Sequence, residues 1–260
     1  MALTAKSLFT YDIEVTSLNR YLDFKIDAMG TELTAVMDLG FYSPQGLADE
    51  IALQMQTVDS ANIYTITVHR NIMGGTQNRI SIETNGAFLS LLFASGFHTI
   101  TSISTLIGFN PVDYTGNTIY TGSSSVGVTF IPDFIGYNYL DDFNMQKVFG
   151  AVNVSASGLK ESVTFNLQFF IEVEFRYEHK SRLISWRSLF TWLIQQKQFD
   201  FTPEISVPDV VYTVTLEQTD SDDQGLAYRM DEMLPDFPQL YKTGKLKFRI
   251  IPRTSQFISL

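Results

Sequence analysis

The run Ser162–Tyr177 (SVTFNLQFFIEVEFRY) admits few folds, because it alternates apolar and polar side chains over a length that no small surface hairpin requires. Phe169, Ile171, Val173 and Phe175 fall on one face, and Glu172, Glu174 and Arg176 on the other. One side is core and one is wet, the pattern of a long antiparallel strand in a sandwich or barrel. Lys147–Ser155 (KVFGAVNVS) repeats it just upstream. Strands of this length that reach a sheet edge invite pairing with a neighbouring subunit.

A second constraint comes from Ile80–Gly116. Phe88–Phe93 is too short to span a bilayer and too apolar for a surface, so it belongs in a compact core. Ile103, Leu106 and Ile107 follow at helical spacing, with Thr101 or Ser102 available as N-cap and Gly108 placed as the terminating glycine. A helix of one or two turns is expected there, ended by Asn110-Pro111. Tyr114 is placed to fold back over Phe109.

The rest of the N-terminal half reads as short strands around one helix. Ser7–Val15, Tyr21–Ile26 and Thr31–Met37 have strand character. A helix then starts at Ser43 as N-cap and Pro44 as its first residue, with Leu47, Ile51 and Met55 on one side. Ile63–Val68 and Asn78–Glu83 pair as a hairpin through the Met73-Gly74-Gly75 turn. Gly116–Gly127 (GNTIYTGSSSVG) has the composition of a linker, and Ser125–Ile131 that of a strand. Downstream, Asp133–Lys147 reads as an aromatic, acidic loop. Ser181–Lys197 reads as a helix with Ser181 as N-cap and Leu183, Trp186, Phe190, Leu193 and Ile194 as its apolar stripe. Val210–Gln218 and Lys245–Ile251 are strands. The fold class is therefore α+β, mainly β. Residues 1–122 are expected to form an α+β domain with a small antiparallel sheet and one or two helices. Residues 123–260 are expected to form a β-sandwich-like domain with the helix 181–197 packed on it.

Charge supports two regions of different surface character. Residues 1–144 hold 5 Lys and Arg against 14 Asp and Glu, whereas 145–260 hold 13 against 14. The net charge of −10 argues against a duplex nucleic-acid partner, which needs clustered cations. Only 18% of residues are charged and 13% are aromatic, so much of the exterior is expected to be covered by partners. Without cysteine there is neither a disulfide framework nor a thiolate metal site. No signal peptide and no membrane-spanning stretch is read from the chain, and a protein made and assembled in cytoplasm is expected.

Gly-Phe-Tyr-Ser-Pro before an amphipathic helix (Gly40–Pro44), the Ile63-Tyr64-Thr65 hairpin, Leu91-Leu92-Phe93 to Ser95-Gly96, and Leu106-Ile107-Gly108-Phe109 followed by Tyr114-Thr115-Gly116 are together similar to a module recurring in virion proteins of tailed bacteriophages. The likeness covers roughly residues 8–122. In the second half, a Trp-bearing helix with Arg182 and Arg187, then Phe199-Asp200-Phe201-Thr202-Pro203 and returning strands, resembles distal-tail and baseplate-hub proteins. These resemblances imply a non-enzymatic structural subunit of the virion, assembled in the host cytoplasm. It would form an oligomeric ring in the tail or baseplate and bridge neighbouring tail or capsid proteins. The alternatives they leave open are a capsid-surface decoration or fibre-attachment protein, and a carbohydrate-binding receptor protein.

Candidate chemistry is sparse. No phosphate-binding loop, zinc-protease, serine-hydrolase or dinucleotide motif occurs, so no catalytic residue and no cofactor is assigned. His69, His98 and His179 lie far apart in sequence and read as ordinary surface or turn histidines. Asp220 and Asp222, with Gly225 at the sixth position, have part of a calcium-loop spacing, but Asp231 stands where the bidentate Glu belongs and strands flank the loop. A solvated turn is the simpler reading. Asp141-Asp142, Glu172/Glu174 and Asp231-Glu232 read as solvated charge rather than as a hydrolase pair. Trp192, off the helix stripe, is the candidate interface anchor, together with Tyr137, Tyr139 and Phe143 of the aromatic loop.

Overall fold

The computed structural model describes residues 7–26, 30–70, 78–132, 145–154, 160–195, 197–203, 205, 210–217, 230–232, 239–244 and 246–251, with the backbone alone for 145–154, 160–167 and 230–232. The first elements are β1 (Leu8–Tyr11), β2 (Ile13–Val15), β3 (Tyr21–Lys25), β4 (Leu33–Val36), β5 (Gly40–Tyr42) and α1 (Pro44–Val58). Next come β6 (Tyr64–His69), β7 (Arg79–Thr84), β8 (Leu89–Leu91), β9 (Tyr114–Asn117), β10 (Ile119–Thr121) and β11 (Val128–Phe130). The later elements are β12 (Met145–Val154), β13 (Lys160–Val173), β14 (Glu178–His179), α2 (Leu183–Ile194), β15 (Phe199–Thr202), β16 (Tyr212–Leu216), β17 (Met230–Glu232), β18 (Leu240–Thr243) and β19 (Leu246–Ile250). Strands outweigh two helices, and the strand pairings are antiparallel: the chain is α+β, mainly β.

Contacts divide it into two compact units. One contains Leu8–Phe130 and Gln198–Val211; the other contains Ile131–Lys197 and Tyr212–Leu260, with the first seven residues. The expected division at 122/123 differs from this at Ser7, at 123–130 and at 198–211, the last two for packing reasons. The Gly116–Gly127 stretch is not a linker: it supplies β9 and β10, which pair with β8 and β7. Tyr120 of β10 is buried, its ring 5.5 Å from that of Tyr114, so the segment is held by its aromatic side chain despite its Gly/Ser content. The last difference is β15, which pairs with β1 through Phe9 opposite Phe201 and Thr10 opposite Asp200. Phe9 lies 5.1 Å from the Phe201 ring, 5.9 Å from Phe199 and 6.3 Å from Phe130, and this buried aromatic cluster takes 198–211 into the N-terminal unit.

Within that unit, the run 7–15 is broken at Asp12, whose φ of 70° ends β1 and lets β2 turn to pair with β5. Helix α1 starts as its sequence dictates: Ser43 Oγ accepts from Gly46 N at 3.0 Å, and Pro44 opens the first turn. Its buried face, Leu47, Ala48, Ile51 and Met55, packs on β4 and β6. Leu22 and Phe24 of β3, Ile80 and Ile82 of β7, and Leu89, Leu91 and Phe93 join the same core. Ile103 and Ile107 are buried as expected, but the helix there shrinks to a 3-10 turn at Thr99–Thr101 and a single turn closed by Ile107 N to Ile103 O. Gly108 ends it at φ +78°, and Phe109 meets Tyr114 edge-on at 5.3 Å.

In the second unit β13 pairs with β12 and β19, and β19 with β16. Ile171, Val173 and Phe175 are buried as the alternation requires. Phe170, on the polar face, is buried as well, with Lys247 Nζ 4.4 Å above its ring. Helix α2 starts two residues later than expected, after a 3-10 turn at Lys180–Arg182 in which the His179 ring, rather than Ser181, accepts from the backbone. Trp186 is fully buried beside Phe175 and donates to the buried Glu178 carboxylate at 2.9 Å. Ser181, Arg182, Arg187 and Thr191 are exposed, as are Ile184 and Ile194. Among the described residues no helix is long and apolar enough to cross a membrane.

Candidate functional site

Of the expected interface anchors, Trp192 is the one within the described residues, and it does not face outward. Trp192 is 5% exposed, with Lys197 Nζ 4.3 Å over its ring, because α2 is rotated so that Trp192 faces inward and Ile194 outward. It is a core residue. Tyr137, Tyr139 and Phe143, and the calcium candidates Asp220 and Asp222, lie outside the described residues. Among the described residues no three His, Asp or Glu side chains converge to hold a metal ion. His69 bonds Ser81 at 2.9 Å and His179 bonds Ser181 and Gln239, so both are tied into local structure.

A built surface feature occurs instead at the loop 94–101, between β8 and the single turn ahead of Gly108. Its backbone amides are taken up one after another. Asp113 Oδ1 accepts from Ala94 N at 2.7 Å and Ser95 N at 3.1 Å. Gly96 N closes on Leu92 O at 3.1 Å, Glu32 Oε1 accepts from Phe97 N at 2.7 Å, and Asp23 Oδ2 accepts from His98 N at 2.6 Å. Three carboxylates from distant parts of the chain thus accept from four of five consecutive amides, and a backbone carbonyl from the fifth. Charge-assisted bonds of this kind are stronger than neutral ones. Glycine is required at the centre, since a Cβ on Gly96 would stand 2.5 Å from Leu92 O and 2.6 Å from Asp23 Cβ.

Asp23 is the keystone of the brace. Nearly buried on β3, it also accepts from Thr34 Oγ1 at 2.7 Å and meets His98 Nδ1 at 3.0 Å, which places the imidazole proton on Nδ1. The His98 ring stacks on Tyr21 at 4.1 Å with 9° between planes, and the Arg20 guanidinium lies 5.7 Å from that Tyr ring. A carboxylate–imidazole pair can orient or relay a proton. Here Asp23 is committed to the loop backbone and the imidazole to a stack, so the pair works as a clamp.

What the clamp holds out is apolar. Phe97 is 76% exposed within the braced run, and Ile100 is 94% exposed in the 3-10 turn Thr99–Thr101 that follows it. Leaving such side chains in water forgoes roughly 1.5–3 kcal/mol each of burial energy. Holding them rigidly removes the ordering cost that a partner would otherwise meet.

Asp59 fixes a further turn in this unit, and it shares a lowered pKa with Asp113 of the brace. Burial alone would raise the Asp59 carboxyl, but hydrogen bonds from Tyr64, Asn62 and the Ala61 amide outweigh it and hold it below the usual range. In Asp113, burial is likewise outweighed by bonds from Ser95 and the Ala94 amide. The pKa of Tyr42 is pushed up to about 12, by burial first and then by Glu50 and Asp38. A depressed folded pKa means stability that is present above the unfolded value and lost as pH falls. Thermal unfolding followed by circular dichroism should therefore show a falling midpoint as the solution is acidified below about pH 4, the unfolded Asp range. Asp113→Asn and Asp59→Asn should flatten that slope while lowering the plateau near neutrality. The opposite sign applies at Tyr42, whose raised pKa costs stability as pH climbs past about 10.

No protein-family model matches the chain, and no curated protein matches its sequence significantly. The class rests on fold and site: a mainly-β α+β protein that displays a braced apolar loop.

Proposed function

We propose that the protein is a non-enzymatic structural component of a tailed-phage virion. In this reading it is a tail or baseplate subunit, of the distal-tail or adaptor kind, that forms an oligomeric ring with copies of itself and bridges neighbouring virion proteins. The observation that supports it best is the 94–101 loop, in which three carboxylates and a glycine hold Phe97 and Ile100 out in water. Such an arrangement serves contact with a partner, and rigid exposed aromatics are typical anchors of protein interfaces. The sequence resemblance over residues 8–122 supplies the kind of particle. The reading places the protein in the virion after assembly in the host cytoplasm, with protein partners and neither nucleic acid nor membrane.

Gold-labelled antibodies raised against the purified protein should decorate intact particles at the tail end, seen by negative-stain electron microscopy. Decoration of the head would redirect the proposal to a capsid-surface role. Particles that stay bare while purified protein turns over a polysaccharide would overturn it.

A further inference from the structure

We propose that the braced loop of one copy receives the outer stripe of α2 from a second copy, in a head-to-tail contact. This deepens the assembly reading above and rests on it. The stripe is Ile184, Arg187, Thr191 and Ile194, whose spacings of three, four and three residues place them along one side of the helix. All four are exposed, Ile184 at 79%, so the stripe presents an isoleucine near each end with a cation between. Residues 179–197 contain Lys180, Arg182, Arg187 and Lys197 and no Asp or Glu at all, in a chain whose net charge is −10.

The loop is the converse surface. Phe97 and Ile100 belong to the loop whose amides are accepted at the surface by the half-buried Glu32 and the exposed Asp113, with the buried Asp23 bonded to His98 N. Apolar residues with anions on one surface face apolar residues with cations on the other. Such complementarity favours this pairing over either surface meeting itself, where like charges would oppose each other. Because the two surfaces differ, the contact is heterologous, and repetition of it builds a closed ring or an open filament.

The test is a complementation experiment read by native mass spectrometry and light scattering. Wild-type protein should form species larger than a dimer, and these should dissociate as salt is raised. Phe97→Asp keeps the α2 stripe and loses the loop's anchor; Ile184→Asp does the reverse. Each alone should be monomeric, with self-affinity reduced about 30-fold or more. Mixed, the two should give a 1:1 heterodimer and nothing larger, since one intact loop and one intact stripe remain between them. Unchanged thermal midpoints confirm folding, and Phe97→Ser with Ile184→Ser is the milder pair if either acidic variant unfolds. A monomeric wild type, a single variant that still assembles, or a mixture that stays monomeric overturns the contact and leaves a different protein as the occupant of the loop. The two readings fail separately: bare particles with intact complementation remove the virion role alone, and labelled particles with a monomeric mixture remove this contact alone.

Discussion

Asp200→Ala is expected to lower the unfolding free energy by about 3–5 kcal/mol, the usual consequence of removing one member of a buried ion pair. The Asp200 side chain is 2% exposed and that of Arg70 14%, with 3.1 Å between Arg70 Nη1 and Asp200 Oδ2. Arg70 Nη2 also donates to Gln45 Oε1 at the start of α1, so the pair links helix, hairpin and β15 inside one unit. Once the carboxylate is gone, a largely buried guanidinium retains only its neutral Gln45 bond from this set. Equilibrium urea unfolding of the two variants checks the claim. Asp200→Ala should shift the midpoint strongly, whereas Arg70→Met with Asp200→Leu should recover most of the loss, because two apolar side chains leave no charge to desolvate. A shift of less than about 1 kcal/mol in the single variant would mean that the pair is solvated.

Gly108→Ala is the second large effect, and Gly116→Ala is its internal control. Both glycines have positive φ, +78° and +89°, so alanine costs about 1–2 kcal/mol of backbone strain at either. Nothing lies near a Cβ on Gly116, whereas one on Gly108 would run into the Ser124 carbonyl. That carbonyl cannot easily move, because Ser124 N donates to Gly108 O at 3.0 Å and a Cβ on Gly122 would itself stand 2.8 Å from the same oxygen. The Gly108 variant should therefore lose a further 1–3 kcal/mol or so for overpacking. Thermal unfolding of the two side by side separates strain from collision. Equal midpoints would show that the two backbones part at no cost.

Local periodicity made much of this architecture legible in advance. The α1 start at Ser43-Pro44, the 64–69 and 79–84 pairing, the burial of all but Phe88 in the 88–93 run and the burial of Ile171 and Val173 follow from side-chain spacing and caps. Strand β13 departs from strict alternation, with Phe170 buried on the polar face and Phe169 only half-buried. The misreadings share a cause. Gly116–Gly127 has linker composition, yet Tyr120 and the Gly108–Gly122 approach hold it in the core, and neither is visible without its partner. A stripe that runs through Ile194 puts Trp192 outside; a small rotation of α2 exchanges the two, and a helix apolar on most of its circumference leaves that rotation to its neighbours. The braced loop was the least legible feature. His98 read as an ordinary turn histidine, since Asp23, Glu32 and Asp113 are far from it in sequence. The available hint was local: Phe97 flanked by Gly96 and His98 in a stretch with no strand or helix period.

The excursion of 198–211 into the N-terminal unit also governs when that unit can form during synthesis. Strand β1 emerges from the ribosome long before its partner β15, which is made only after the whole of β12, β13 and α2. Phe9 must therefore wait in a nascent chain with one flank of its aromatic cluster missing until Phe199 and Phe201 arrive. A nascent chain stalled before residue 199 should hold an N-terminal unit that proteases open readily, and one stalled late enough to free residue 211 from the exit tunnel should resist them.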